Sequence, residues 1–95
     1  MLFAIHALDG KDGLRLRATA QEAHTAHLKT AADYGVKLVM SGPLVEDDGA
    51  TMKGSLLVVE AEGRANVERF NQADPYHAAG VWDTVTITAF LKKNG

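Results

Sequence analysis

Two side chains of this chain have the types needed for acid–base chemistry, His24 and Asp74. His24 lies in an alanine-rich stretch, at a position where helical spacing leads us to expect an apolar residue. A neutral imidazole in a partly dry pocket is an effective general base, and a neighbouring carboxylate can fix its tautomer and orientation. The alternatives are a histidine bonded within the core and an aspartate that only caps a helix. Capping and orienting are compatible, because a carboxylate has two oxygens.

Three further positions are candidates for contacts with a substrate. Arg17 can hold an anionic group, pair with an acid or lie solvated on the surface. Ser55 can donate a hydrogen bond into a pocket or be an ordinary strand serine, and Gly42-Pro43 can form a bend beside the pocket or a strand end. The residue types alone leave these alternatives open.

A metal centre is disfavoured by the spacing of the histidines. His24 and His27 are three residues apart and could share a metal, but the glutamate of H-E-x-x-H is absent and no third ligand is evident. His6 and His77 are expected to be solvent-facing or structural. There is no glycine-rich phosphate loop, and the lack of cysteine excludes thiolate chemistry and disulfides. We therefore predict no metal and no cofactor.

The length and composition favour one soluble domain spanning residues 1–95, and we expect its ligand to be a small-molecule substrate. A formal net charge of -2 and a pI near 6.0 provide no strong field for nucleic acid or an anionic membrane. No apolar run approaches the roughly 18 residues of a membrane span, and no basic leader precedes the first strand. With no cysteine, a cytoplasmic location is expected.

The first half of the chain predicts a strand and one long helix that would carry the histidine. Leu2 to Leu8 reads as a strand, and Lys11 to Ala18 as a loop with a helical turn. Thr19 to Glu22 has the form of a capping box, which predicts a helix from Ala20 to Tyr34 with Gly35 as its cap. His24 would then lie near the helix start, where partial positive charge favours a neutral imidazole.

The second half predicts three strands and two short helices. The predicted segments are a strand over Val36–Val45 interrupted at Gly42-Pro43, a turn at Glu46–Gly49, a strand over Gly54–Ala61, a helix over Arg64–Ala73, a second helix start with Asp74 as N-cap and Pro75 at its first position, and a strand over Val81–Leu91.

The resulting order, βαββαβ, is that of the ferredoxin-like α+β fold, with a four-stranded antiparallel sheet. Right-handed crossovers place both main helices on one face of the sheet. The first and third predicted strands are apolar on both sides, so the other face would expose a large apolar patch. A homodimer in which two sheets meet face to face is the economical solution.

Five short motifs, in this order and spacing, resemble the YciI-like (YCII-related) family of small dimeric proteins over nearly the whole chain. They are Leu2-Phe3-Ala4-Ile5, Ala23-His24 eleven residues before Gly35, Ser41-Gly42-Pro43-Leu44, Gly54-Ser55, and Ala73-Asp74-Pro75-Tyr76 followed by Ala79-Gly80-Val81. The Asp-Pro-Tyr before the final strand is the most telling motif.

The resemblance implies a dimeric α/β barrel, akin in architecture to muconolactone isomerase, with His24 and Asp74 as a His–Asp pair. It places Ser55 in a serine-bearing turn and Arg17 where a family arginine occurs. The family often has a second arginine three residues before the histidine, whereas this chain has Gln21. We expect substrate contacts from Arg17, Ser55, the backbone near Gly42, and Tyr76.

The activity associated with the family is dehydrochlorination of a chlorinated hydroxyhydroquinone in aromatic degradation. The resemblance therefore implies a cofactor-independent lyase in which His24 and Asp74 act as an acid–base pair. The alternatives are a non-catalytic module that binds a small metabolite, a purely structural dimerisation domain, and a proton-shifting isomerase like muconolactone isomerase.

Overall fold

The fold is α+β, with helices packed on one face of a four-stranded antiparallel sheet. A computed structural model describes all residues, 1–95. Its elements are β1 (Leu2–Asp9), α1 (Gly13–Leu28), a 3-10 turn (Ala31–Tyr34), β2 (Val36–Val45), β3 (Met52–Ala61), α2 (Arg64–Gln72), α3 (Pro75–Ala78) and β4 (Trp82–Phe90).

The sheet has the strand order β2-β3-β1-β4, with every neighbouring pair antiparallel. Alternate residues of the two central strands, among them Ile5 and Val59, face the helices and pack against Val67 and Phe70. The predicted ferredoxin-like order and the four-stranded antiparallel sheet are confirmed.

The predicted start of the first long helix was wrong. Residues 13–28 form one helix, so Thr19 lies inside it, with its hydroxyl 3.5 Å from the Arg15 carbonyl oxygen rather than at a cap. The buried Arg17 side chain ties this part of the helix to β1 and β3. These tertiary bonds outweigh the local capping pattern, which is only a weak prior.

The end of that helix also differs from the prediction. The α-helix ends at Leu28, and a separate 3-10 turn over residues 31–34 leads to Gly35. Gly35 is the predicted cap, with a left-handed φ of 71°. His24 therefore lies in the second half of α1. The argument that a helix N-terminus keeps its imidazole neutral does not apply, because that field falls off within the first turn.

Gly42-Pro43 does not interrupt β2, contrary to the prediction. The strand continues through both residues, and its register shifts lie at Leu38/Met40 and Leu44/Val45. A proline is tolerated here because β2 is an edge strand with one unpaired side. The other differences are small: β3 begins at Met52, two residues early, and α2 and β4 end within a residue of their predicted limits.

The face of the sheet opposite the helices is open and rich in apolar side chains. Met40, Phe90 and Leu8 have exposed fractions of 60%, 51% and 43%. The homodimer that would cover this face stays a prediction. None of the helices combines the length and the apolar composition needed to cross a bilayer.

Candidate active site

His24 and Asp74 meet between α1 and the start of α3, although they are far apart in the chain. His24 Nδ1 lies 2.8 Å from Asp74 Oδ1 and 2.9 Å from Oδ2. Because an ionised carboxylate only accepts, Nδ1 carries the hydrogen and Nε2 keeps its lone pair. Nε2 makes no hydrogen bond within the protein. The geometry thus leaves the second ring nitrogen free to accept a proton.

Asp74 is both a helix cap and the partner of the imidazole. Its Oδ1 accepts from the Tyr76 amide at 2.9 Å, while Pro75 occupies the first helical position. The predicted N-cap is therefore confirmed. The Asp74 side chain is 2% exposed and that of His24 13%, so the pair lies at the edge of solvent rather than in it.

Aromatic rings hold the imidazole on two sides. The Tyr76 ring stacks on the His24 ring with centroids 3.9 Å apart and planes 4° apart. Trp82 meets both rings edge-on, at centroid distances of 6.3 Å from His24 and 5.8 Å from Tyr76. The Asp74 bond and the ring stack together restrict both the rotation and the tilt of the imidazole.

The Tyr76 phenol is kept neutral by its surroundings. Burial raises its pKa above the ordinary value of 10.0, and the nearby Arg17 charge only partly opposes that effect. The Arg17 guanidinium carbon lies 5.1 Å from the centroid of the Tyr76 ring. An uncharged ring against His24 adds no negative charge beside that of Asp74.

Arg17 is buried, and two of its three guanidinium nitrogens, Nε and Nη2, donate to protein acceptors. Nε donates to Asp9 Oδ2 at 2.6 Å and Nη2 to Asp9 Oδ1 at 2.9 Å. Nη2 also lies 2.5 Å from the Gly54 carbonyl oxygen and 2.7 Å from Ser55 Oγ, so its two hydrogens serve three acceptors and one of these bonds is bifurcated. Of the three alternatives for Arg17, pairing with an acid is the one that the structure contains.

Two glycines permit this close packing. A Cβ at residue 54 would overlap the Ala7 carbonyl oxygen, and one at residue 13 would lie 2.5 Å from the Asp9 Cβ. Gly13 lets the first turn of α1 approach β1, and Gly54 lets β3 approach it. Only a backbone without side chains at these points brings Asp9, Arg17 and the Gly54 carbonyl together.

Arg17, Ser55, His24 and Tyr76 line part of a cleft of about 210 Å³ between α1, β2 and β3. Its lining mixes hydroxyl, amide and apolar side chains with the His24 ring. The residues are Arg17, Gln21, His24, Thr25, Leu28, Ser41, Gly42, Pro43, Met52, Ser55, Leu57 and Tyr76. A cleft of this volume has room only for a small molecule.

Five of the six predicted site residues lie on this cleft, and the sixth, Asp74, lies behind His24. Sequence reasoning missed Asp9 and Trp82. Asp9 lies at the end of β1, and an acid at a strand end gives no local sign of its partner. Trp82 was not singled out, although a lone tryptophan at the start of a strand is a usable signal.

The other histidine of α1 has a structural role. His27 Nε2 donates to the Phe70 carbonyl at 2.8 Å, and its ring stacks on Phe70 at 4.8 Å. It joins α1 to α2 and does not share a metal site with His24. His6 and His77 are exposed, and no group of three metal-ligating side chains converges anywhere in the structure.

Comparisons with known proteins agree with this fold. The family model of the YCII-related domain matches residues 1–91. Protein YciI from Escherichia coli O6:H1 is 36% identical over 97 residues, which cover 97% of this chain and 98% of the relative. Protein YciI from Shigella flexneri matches with the same identity and coverage.

A solved structure has the same fold over almost its whole length. It is 5-chloro-2-hydroxyhydroquinone dehydrochlorinase from Burkholderia phenoliruptrix AC1100, in complex with 2,5-dihydroxybenzoquinone. The TM-score is 0.83 at 30% sequence identity, with 98% of this chain and 96% of that chain covered.

Proposed function

This chain belongs to the YCII-related family, and from that premise we propose that it is a cofactor-independent lyase that eliminates chloride from a small hydroxylated ring. The observation that carries the proposal is the His24 ring, bonded through Nδ1 to Asp74, with Nε2 free beside a cleft. The structural neighbour that dehydrochlorinates a hydroxyhydroquinone supports this choice of reaction.

In the proposed mechanism His24 is the base and Asp74 its positioning partner. His24 Nε2 takes a proton from a ring hydroxyl and returns it to the chlorine-bearing ring carbon, which becomes tetrahedral. A second hydroxyl then loses its proton to Nε2. Its O–H electron pair moves into the ring to form a carbonyl, and the C–Cl bond breaks with both electrons on chloride.

The products are a hydroxyquinone, chloride and one proton, which the imidazolium releases to water. The ring loses the elements of hydrogen chloride, so no external oxidant or reductant is needed. Asp74 stabilises the imidazolium in each step and keeps the reactive tautomer in place. General base catalysis of this kind contributes about 10²–10⁴-fold to a rate.

The charges around the cleft favour a neutral ring over a carboxylate substrate. The positive charge of Arg17 is offset by Asp9, its bidentate partner. Asp74 leaves a further negative charge behind His24. A substrate carboxylate would find no unpaired cation here, which argues against an isomerase for carboxylate-bearing lactones. Neutral ring hydroxyls would suit Ser41 and Thr25 on the cleft wall.

The test is chloride release from 5-chloro-2-hydroxyhydroquinone under anaerobic conditions, with wild type and the His24→Asn variant. We expect turnover by wild type and a loss of about 10²–10⁴-fold in kcat for the variant. His77→Asn is the matched control, because it removes an exposed imidazole and should retain turnover.

Near wild-type turnover by a folded His24→Asn variant would contradict the role of this base. Binding of the quinol by wild type without any chloride release would instead favour the non-catalytic binding module. Circular dichroism of each variant establishes that the fold is retained before its rate is interpreted.

A further inference from the structure

The Ser55 hydroxyl receives two hydrogen bonds from the protein. Arg17 Nη2 donates to Ser55 Oγ at 2.7 Å and Trp82 Nε1 donates to it at 3.1 Å. A hydroxyl oxygen has two lone pairs and one hydrogen, so both of its accepting positions are filled. No protein group accepts the remaining hydrogen, and Ser55 lines the cleft that His24 also lines.

We propose that Trp82 is a positioning residue that, together with Arg17, fixes the Ser55 hydroxyl as a hydrogen-bond donor into the cleft. The site would then select ring compounds that present an accepting oxygen, a carbonyl or a phenolate, to Ser55. This inference rests on the proposed function for the class of ligand, but the arrangement of the three side chains does not depend on turnover.

Trp82 is needed to make the Ser55 hydroxyl a donor, because Arg17 fills only one of the two lone pairs of the hydroxyl oxygen. Without the indole N–H, the free lone pair would let the hydroxyl rotate and accept from a substrate hydroxyl instead. With both donors in place, the only bond left to Ser55 is a donated one. The guanidinium also polarises that O–H, because hydrogen bonds in a chain strengthen one another.

The same arrangement would assist the reaction. When a ring hydroxyl loses its proton to His24, negative charge develops on an oxygen of the substrate. A donor already directed at that oxygen stabilises the charge without reorganisation. Arg17 would thus act on the substrate through Ser55, while its Nε and Nη2 also bond to Asp9 and the Gly54 carbonyl.

Trp82→Phe separates the indole N–H from the packing of the ring. Trp82 is buried, and its ring lies edge-on to His24 and Tyr76. Phenylalanine keeps an aromatic ring in this position and removes the donor. Ser55→Ala removes the hydroxyl itself, and the double variant completes a cycle that isolates the coupling between the two residues.

The first measurement is the affinity for 2,5-dihydroxybenzoquinone across this cycle. We expect Trp82→Phe to weaken binding about threefold to tenfold in the wild-type background, the effect of one hydrogen bond, and less than about twofold in the Ser55→Ala background. Equal weakening in both backgrounds would mean that Trp82 acts by packing and would overturn the inference. Unchanged binding in both backgrounds would overturn it as well.

The second measurement needs no ligand. The chain has 1 tryptophan, so its indole N–H gives a single side-chain signal in a proton–nitrogen NMR spectrum. Ser55→Ala should shift this signal upfield and speed its exchange with solvent, whereas an unchanged signal would overturn the inference. If wild type fails to bind the quinone, the selection of accepting ring oxygens by Ser55 is contradicted, and the indole signal then decides only whether Trp82 holds the Ser55 hydroxyl. The proposed function is tested separately, by chloride release.

Discussion

At the scale of single residues, the carboxylate of Asp74 carries two tasks that substitution can separate. Oδ1 accepts from the Tyr76 amide at the start of α3, and both oxygens lie within 2.9 Å of His24 Nδ1. Capping requires only an accepting oxygen in the side chain, and asparagine supplies one as well as aspartate does. Stabilising an imidazolium requires the negative charge as well.

We therefore expect Asp74→Asn to retain the fold and to lose activity. The free energy of unfolding should change little, while kcat for chloride release should fall about 10²–10⁴-fold. Asp74→Ala is the comparison, because it also loses the cap and should be less stable than Asp74→Asn by about 1 kcal/mol. Urea unfolding and initial rates on the same preparations measure both quantities. Wild-type kcat in Asp74→Asn would contradict the role given to the charge.

The individual site residues were predictable to different degrees. Asp74 could be placed because Asp before Pro is a local signal for a helix start, and His24 because it breaks an apolar stripe. The buried pair of Arg17 and Asp9 could not be predicted, because it forms only where Gly13 and Gly54 let α1, β1 and β3 approach one another closely. Such contacts between distant segments leave no periodic pattern in the sequence.

At the scale of elements, the turn between β2 and β3 depends on one carboxylate. Asp48 Oδ1 accepts from the Ala50 and Thr51 amides at 2.8 and 2.9 Å, and Oδ2 accepts from the Thr51 hydroxyl at 2.5 Å. These bonds stabilise the charged form and lower the pKa of Asp48 to about 2. The turn brings the cleft-lining residues of β2 opposite those of β3.

A lowered pKa predicts a specific dependence of stability on pH. As the pH falls, Asp48 becomes protonated near pH 3.8 in the unfolded chain but only near pH 2 in the folded chain. The charged carboxylate therefore stabilises the folded state fully above pH 3.8, and this stabilisation is lost as the pH falls toward about 2. We expect Asp48→Ala to be less stable than wild type at pH 7, and the difference to shrink steadily below pH 3.8.

Thermal unfolding midpoints across this pH range measure the effect. Asp47→Ala is the matched control, because the amides of Ala50 and Thr51 bond to Asp48 and not to Asp47. A difference between wild type and Asp48→Ala that is constant with pH would contradict the assignment. So would an equal effect of the two alanine substitutions.

The elements themselves were largely predictable, with α1 as the exception. The strands alternate or carry continuous apolar runs, and Gly35, Gly49 and Gly80 mark turns where φ is positive. The helix start was misplaced because the Thr19–Glu22 pattern satisfies a capping rule that the fold does not use. Arg17 holds residues 13–18 in the helix through hydrogen bonds to β1 and β3, and a capping rule based on neighbouring residues does not include such contacts.

At the scale of the whole molecule, one face of the sheet has no cover. The helices bury the face that contains Phe3, Ile5, Leu57 and Val59. The residues that alternate with these point the other way, and besides His6, Glu60 and the threonines of β4 many of them are apolar. They include Leu2, Ala4 and Leu8 on β1, Met40 on β2, Leu56 and Val58 on β3, and Phe90 on β4. An exposed surface of this kind usually marks an interface.

A second copy of the chain is the partner that we expect on this face, because a sheet face can pair with itself about a two-fold axis. Light scattering should give twice the chain mass of 10.2 kDa for wild type. Leu56→Lys places a charge at the centre of the face and should weaken the dimer about 30-fold or more, as expected for a central interface residue worth ~2 kcal/mol. Leu14→Lys is the matched control, because Leu14 is 53% exposed but lies on α1. A monomeric wild type, or dissociation caused by Leu14→Lys and not by Leu56→Lys, would contradict the sheet-to-sheet dimer.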